Sequence, residues 1–213
     1  MTILFIARHG ESDWNRESRL QGQADRPLTH RGRNQAAALV TQLVDAELAA
    51  VYSSDLCRAR ETAEIFARQK GLAVECLATL RETDIGSWAG LTYSDVARRY
   101  PEGFEIWKAG GQGWTGGEAY TDVARRVQTA IAGISMRHPA EQVLVVSHTD
   151  PIATVAAHAL GLDLQSYFRD KAIEELDGEA AGSFLVGNGR IVRLTIEDGE
   201  VVRYEHLRSK PGS

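Results

Sequence analysis

Two arginines, two histidines and a glutamate stand where short apolar runs give way to polar residues: Arg8-His9, Arg58, Glu82 and His148. Strand-like runs at 3–7, 50–54, 72–80 and 143–146 precede them. In open α/β sheets ligands bind outside the carboxyl ends of parallel strands, so these five side chains are expected to meet there. A lone histidine at a strand end is commonly a hydrogen-bonded structural residue. Five such groups at four ends point to chemistry. Their types suit phosphoryl transfer, which needs charge stabilisation and positioning more than elaborate covalent steps. Arg8 and Arg58 can hold phosphate oxygens through their planar forks. A neutral imidazole can attack phosphorus, and a second, protonated one can donate to the equatorial oxygens. A carboxyl can protonate the leaving oxygen and then activate water. Gly10, beside His9, would let the backbone come close to a ligand. With this cationic charge supplied by side chains, neither metal nor cofactor is expected. No helical i,i+4 histidine pair exists, and two arginines would repel a divalent cation.

Periodicity supplies the elements that must carry these groups. Ile3–Ala7 reads as a strand apolar on both faces. Thr29 has the type of an N-cap, and Ala36, Leu39, Val40, Leu43 and Val44 follow at helical spacing. A strand over 50–54 leads to a helix with Asp55 as its expected cap and Gly71 as its end. A third strand lies within 72–80. The order β-α-β-α-β argues for a parallel sheet. A short helix is expected over 93–100. The stretch 101–117 is rich in glycine, carries Trp107 and Trp114, and reads either as a mobile lid or as a surface excursion pinned by its tryptophans. A long helix over 120–137, stopped by Pro139, precedes the strand 143–146, and a helix from Pro151 to Leu160 follows. Asn188-Gly189 and Asp198-Gly199 each separate β-rich runs, which predicts antiparallel hairpins at one edge of the sheet. Residues 209–213 read as a frayed end. The expected fold is three-layer α/β/α with a mostly parallel sheet: one domain over 1–213, with 101–117 as an insertion.

Composition is that of an ordinary globular protein. Among 213 residues, 29 acidic side chains outnumber 24 lysines and arginines, for a net charge of −5. That balance gives no support for a nucleic-acid or membrane partner. Cys57 and Cys76 fit no metal or redox spacing, and no run approaches the ~20 apolar residues of a membrane span. The first apolar run is too short for a secretory signal, so a cytoplasmic location is expected. A homodimer is compatible with the pattern but not demanded by it.

Longer stretches add a resemblance. Residues 8–15, Arg-His-Gly-Glu-Ser-Asp-Trp-Asn, are similar to the signature of the histidine phosphatase superfamily, the phosphoglycerate-mutase-like group. Leu28-Thr29 with Gly32 and Gln35-Ala36 resembles its first helix. Ser53 to Ala59, with Thr62-Ala63, resembles its second arginine motif. Leu80-Arg81-Glu82 with 86–90 resembles its acid motif, and Val146-Ser147-His148 its second histidine. The resemblance implies His9 as the nucleophile and Arg8, Arg58 and His148 as the phosphate pocket. It implies Glu82 as proton donor and acceptor, Asn15 as a further phosphate contact, and Gln21-Gly22 as part of the loop that approaches substrate. For Glu11 and Ser12, loop support and direct contact stand equally. His30, His138, His158 and His206 match no motif and read as structural or exposed. Arg60, Glu61 and Arg81 read as solvated charges or as support behind the site.

The chain departs from the family after its second histidine. Thr149-Asp150-Pro151-Ile152-Ala153 stands where two small glycines and then an apolar-basic pair are usual. Thr149 would narrow the backbone, and Asp150 would add negative charge near an anion pocket. Three readings follow: a metal-independent phosphatase acting on a small phosphate ester, a cofactor-dependent phosphoglycerate mutase, or a phosphate-binding regulatory protein with weak turnover. The mutases carry a longer insertion rich in arginine and tyrosine after the acid motif. Here that segment is short, with Arg98, Arg99 and Lys108 but no such block, which favours the phosphatase.

Overall fold

The computed structural model describes residues 1–177 and 189–207. Its strands are β1 (Thr2–Arg8), β2 (Leu48–Ser53), β3 (Val74–Cys76), β4 (Gln142–Ser147), β5 (Ile191–Glu197) and β6 (Glu200–His206). They form one sheet in the order β3-β2-β4-β1-β5-β6. β1, β2, β3 and β4 are mutually parallel, whereas β5 runs antiparallel to β1 and β6 to β5. The apolar run 143–146 is therefore central, and its three valines and one leucine are all fully buried. Asp198-Gly199 turns β5 into β6 with positive φ at both residues (50° and 85°). Asn188 of the other expected hairpin lies outside the described residues, as do 209–213.

The helices are α1 (Asp13–Arg16), α2 (His30–Gln42), α3 (Cys57–Lys70), α4 (Tyr93–Arg99), α5 (Pro101–Lys108), α6 (Tyr120–Arg137), α7 (Thr149–Ala159) and α8 (Leu164–Asp177). Alternation along the strands divides the core. Leu4, Ile6, Val143 and Val145 face Val127, Ile131 and Ile134 of α6 and Ile152 and Val155 of α7. Phe5, Ala7, Leu144 and Val146 face Leu39 of α2 and Ala63 and Phe66 of α3. Helices thus cover both faces, as the three-layer reading expects. No described helix is long and apolar enough to cross a membrane.

Local chemistry explains most boundaries and corrects several. The Thr29 hydroxyl caps α2 by accepting from Gly32 N–H. The helix stops at Gln42, so Val44, expected on its apolar face, lies beyond it and is exposed. Gly71 closes α3 in the left-handed region. Asp55 does not cap that helix: its carboxylate takes the Arg81 guanidinium at 2.6 and 2.7 Å. Instead Asp25, from a distant loop, accepts from Cys57 N–H at the first residue of α3. Within 101–117, a helix with proline at its first position, Pro101–Lys108, takes up the first part of the expected irregular stretch. Its glycines serve close packing, since a Cβ on Gly113 would lie 1.9 Å from the Gly103 carbonyl oxygen. Trp88, Trp107, Trp114 and Tyr120 gather with Ala156 of α7 and Phe168 of α8 into a third apolar cluster.

Gly10 corrects another expectation. Its bare Cα faces the backbone of α2, not a ligand. A Cβ there would lie 2.2 Å from the Gly32 carbonyl oxygen, and one on Gly32 would lie 2.1 Å from that of Glu11. Gly10→Ala is expected to lower unfolding stability by about 3 kcal/mol through overpacking. Urea denaturation checks this, and an unchanged midpoint would contradict the account.

Candidate active site

The C-terminal ends of β1, β2 and β4 meet at one cavity of about 430 Å³. Arg8, His9, Asn15, Gln21, Gly22, Arg58 and Glu82 line it. His148 joins them, its ring centroid 5.0 Å from that of His9. All eight residues singled out from the sequence are therefore brought together.

Backbone contacts prepare His9. Its Nδ1 lies 2.7 Å from the Gly10 carbonyl oxygen, which can only accept, so Nδ1 carries the proton and Nε2 the lone pair. Arg58 Nε donates toward that Nε2 at 3.3 Å. The Arg58 guanidinium, fully buried at the start of α3, also donates to the Gly22 and Ala24 carbonyls at 2.8 Å each. One side chain thus joins the nucleophile candidate to the loop at 21–24. Burial, and then Arg58 and Arg8, hold the His9 imidazole well below its ordinary value, so it is neutral. His148 is held down likewise by burial, Arg58, His9 and Arg8. The protonated second imidazole expected from the sequence is therefore corrected: burial and the neighbouring cations hold His148 neutral. Both His148 ring nitrogens are buried without a hydrogen-bond partner among the described residues, which suits a ring that meets a bound anion.

Glu82 sits across the cavity at the start of α7. Its Oε2 accepts from Thr149 N–H and its Oε1 from Asp150 N–H, both at 3.1 Å, and Oε1 also accepts from Thr83 N–H at 3.0 Å. These first N–H groups of the helix have no partner within it, so the carboxylate takes the place of a cap. The helix accordingly begins at Thr149, two residues before the expected Pro151. Lost hydration and the Asp150 carboxylate push Glu82 up to about 7, against the pull of Arg58, the Thr83 N–H and Lys171. A carboxyl poised there can give and take a proton near neutrality.

Residues 4–203 match the histidine phosphatase superfamily, branch 1. The chain belongs to this family. It is 36% identical over 170 residues to phosphoserine phosphatase 1 of Hydrogenobacter thermophilus, spanning 79% of this chain and 81% of that one. It is 34% identical over 174 residues to glucosyl-3-phosphoglycerate phosphatase of Mycobacterium tuberculosis, spanning 77% and 78%. Among solved structures, Bacillus stearothermophilus YhfR superposes with a TM-score of 0.82 at 31% identity, over 94% of each chain.

In this histidine phosphatase the remaining motif residues divide by contact. The Glu11 carboxylate accepts from Thr29 at 2.7 Å, and the Ser12 hydroxyl caps α1 and donates to Gln21 at 2.7 Å. Both support the loop. Asn15 lines the cavity with its side-chain oxygen bound to Ser12. His138 bonds Tyr52 and Glu141, away from the cavity. Sequence reasoning missed Arg126, whose guanidinium donates to the carbonyls of Thr79, Arg81 and Glu82 and pairs with Glu118. Nothing in its local sequence marks it. It also missed Lys171 of α8, whose ammonium lies 3.0 Å from the Asp150 carboxylate. Asp150 therefore brings its own counter-charge, and the negative charge expected beside the anion pocket is paired. Among the described residues, no three His, Cys, Asp or Glu side chains are grouped to hold a metal ion.

Proposed function

We propose that this histidine phosphatase hydrolyses small phosphomonoesters, without a metal, through a phosphohistidine at His9. The observation that carries the reading is His9 Nε2, left without a proton by the Gly10 contact at Nδ1, in one cavity with a carboxyl near neutral pKa and beside buried Arg58. In the first step Nε2 attacks phosphorus, the bond to the ester oxygen breaks, and Glu82 gives that oxygen its proton. In the second step the Glu82 carboxylate takes a proton from water, whose oxygen attacks phosphorus. Phosphate leaves and His9 returns to its neutral form. Arg8, Arg58, His148 and Asn15 hold the phosphoryl oxygens throughout, and Gln21-Gly22 borders the leaving group. Trp88, Tyr93, Trp107 and Trp114 also line the cavity, which suits a small organic leaving group. The phosphoserine and glucosyl-3-phosphoglycerate phosphatases among its relatives support a phosphorylated metabolite as substrate.

Leaving-group dependence tests the assignment of Glu82. With chelator present, Glu82→Gln is expected to slow alkyl phosphate hydrolysis by about 10²- to 10⁴-fold. Aryl phosphates, whose leaving oxygen needs little protonation, are expected to lose far less. Equal losses for both would remove Glu82 from this role. Conversion of a phosphoglycerate to its isomer, without phosphate release, would favour the mutase over the phosphatase.

A further inference from the structure

We propose that the buried Asp150–Lys171 ion pair is a positioning element that governs how firmly Glu82 holds its proton. The inference rests on Glu82 as the general acid and adds two residues to that reading. Asp150 reaches Glu82 twice. Its backbone N–H donates to Oε1, and its carboxylate acts on Glu82 by charge while the residue lines the same cavity. Lys171, from α8, fixes that carboxylate at 3.0 Å, and its own side chain is only 5% exposed. A negative charge held near Glu82 favours the protonated acid, and a positive charge favours the carboxylate. The pair therefore acts on Glu82 with opposite signs, and burial keeps both effects from being screened. Glu82 feels both in the expected directions: Asp150 raises its affinity for the proton and Lys171 lowers it.

Among the described residues, other charged and titratable groups also face Glu82. Arg58 comes from α3, and His9 and His148 from the ends of β1 and β4, both neutral. Arg126 of α6 binds the Glu82 carbonyl and is paired with Glu118. Arg8 and Arg58 are the groups expected to meet phosphate. Asp150 and Lys171 are thus the charged pair beside Glu82 that the phosphoryl group does not need, which leaves them to set its titration.

The test exploits the opposed signs. The pH dependence of kcat/KM for an alkyl phosphate would be measured in the wild type, Asp150→Asn, Lys171→Met and the double variant. The alkaline limb is expected to move down by roughly one pH unit in Asp150→Asn and up by a similar amount in Lys171→Met. The double variant should return toward the wild type, and Lys171→Arg should leave the limb in place. A merely structural pair would lower activity in both single variants with limbs unmoved, or moved the same way, and either result overturns the proposal. The infrared band of the protonated Glu82 carboxyl, assigned by its loss in Glu82→Gln, is read across the same pH range. It reports the titration without turnover. If the wild type proves inactive, the phosphatase reading fails alone, while identical band titrations in all variants would sink this one.

Discussion

His9→Ala is expected to lower kcat for an aryl phosphate by on the order of 10⁴- to 10⁶-fold, the loss seen when a nucleophile is removed from a site that otherwise stays intact. The structure gives two reasons for so large an effect. The Gly10 carbonyl selects one tautomer and leaves the Nε2 lone pair for attack. Burial and two arginines keep the ring neutral well below its ordinary value of 6.5, so nearly every molecule carries a competent nucleophile at neutral pH. The acid limb of the rate profile should accordingly not fall at the titration of an ordinary histidine. His148, the neighbouring imidazole, is tilted by 59° to His9 at 5.0 Å and is the group read as a phosphate contact. The measurement is hydrolysis with chelator present, alongside phosphoryl label retained on the enzyme in alkali and lost in acid, as a phosphoramidate behaves. Wild-type turnover in His9→Ala would move the catalytic centre elsewhere. The depressed value has a second consequence. A histidine that resists protonation only when folded stabilises the protein above its unfolded value, and that contribution is lost as pH falls from about 6.5 toward the folded value. His9→Ala removes its own share of this acid sensitivity, which thermal melts across that range would reveal.

Arg58→Ala is expected to damage stability and chemistry together. The side chain is fully buried and bridges the Gly22 and Ala24 carbonyls to His9. Truncation leaves two carbonyls without donors, at about 1–3 kcal/mol each, and opens a cavity. A loss of about 3–5 kcal/mol follows, allowing for relaxation of the loop. Activity should fall about 10²- to 10³-fold or more, the loss typical of one preorganised donor to developing charge. Burial draws the guanidinium down to about 10, still charged at neutral pH. Arg58→Lys should retain part of the activity, because an ammonium carries the charge but cannot span both carbonyls and a phosphate fork. Denaturant unfolding with and without inorganic phosphate separates the two losses: phosphate should stabilise the wild type and fail to stabilise Arg58→Ala. Equal stabilisation of both would take Arg58 out of the anion site.

How legible the molecule was depended on whether a feature is local. The parallel strands, the Thr29 cap, the Gly71 stop and the Asp198-Gly199 turn are decided by neighbouring residues, and each is where sequence pattern places it. The strand ends beside Arg8, His9 and His148 follow from the same patterns, because parallel strands deliver their carboxyl ends to one edge, whereas Arg58 is carried by the first turn of α3 and Glu82 by the stretch beyond β3. Helix α8 escaped notice for a physical reason. Leu164, Tyr167, Phe168 and Ala172 have helical spacing, but Lys171 stands on the same buried stripe and interrupts its apolar character. Asp150 meets its charge there from α7. Asp55 was misread because a cap and an ion-pair partner look alike in sequence, and the choice was made by Arg81. The sequence alone marked the candidate groups and that they meet at one edge of the sheet. Only the tertiary structure decided the tautomer of His9, the neutral state of both histidines, the true start of α7 and the charge balance around Glu82, because each depends on donors, charges and burial brought from distant parts of the chain.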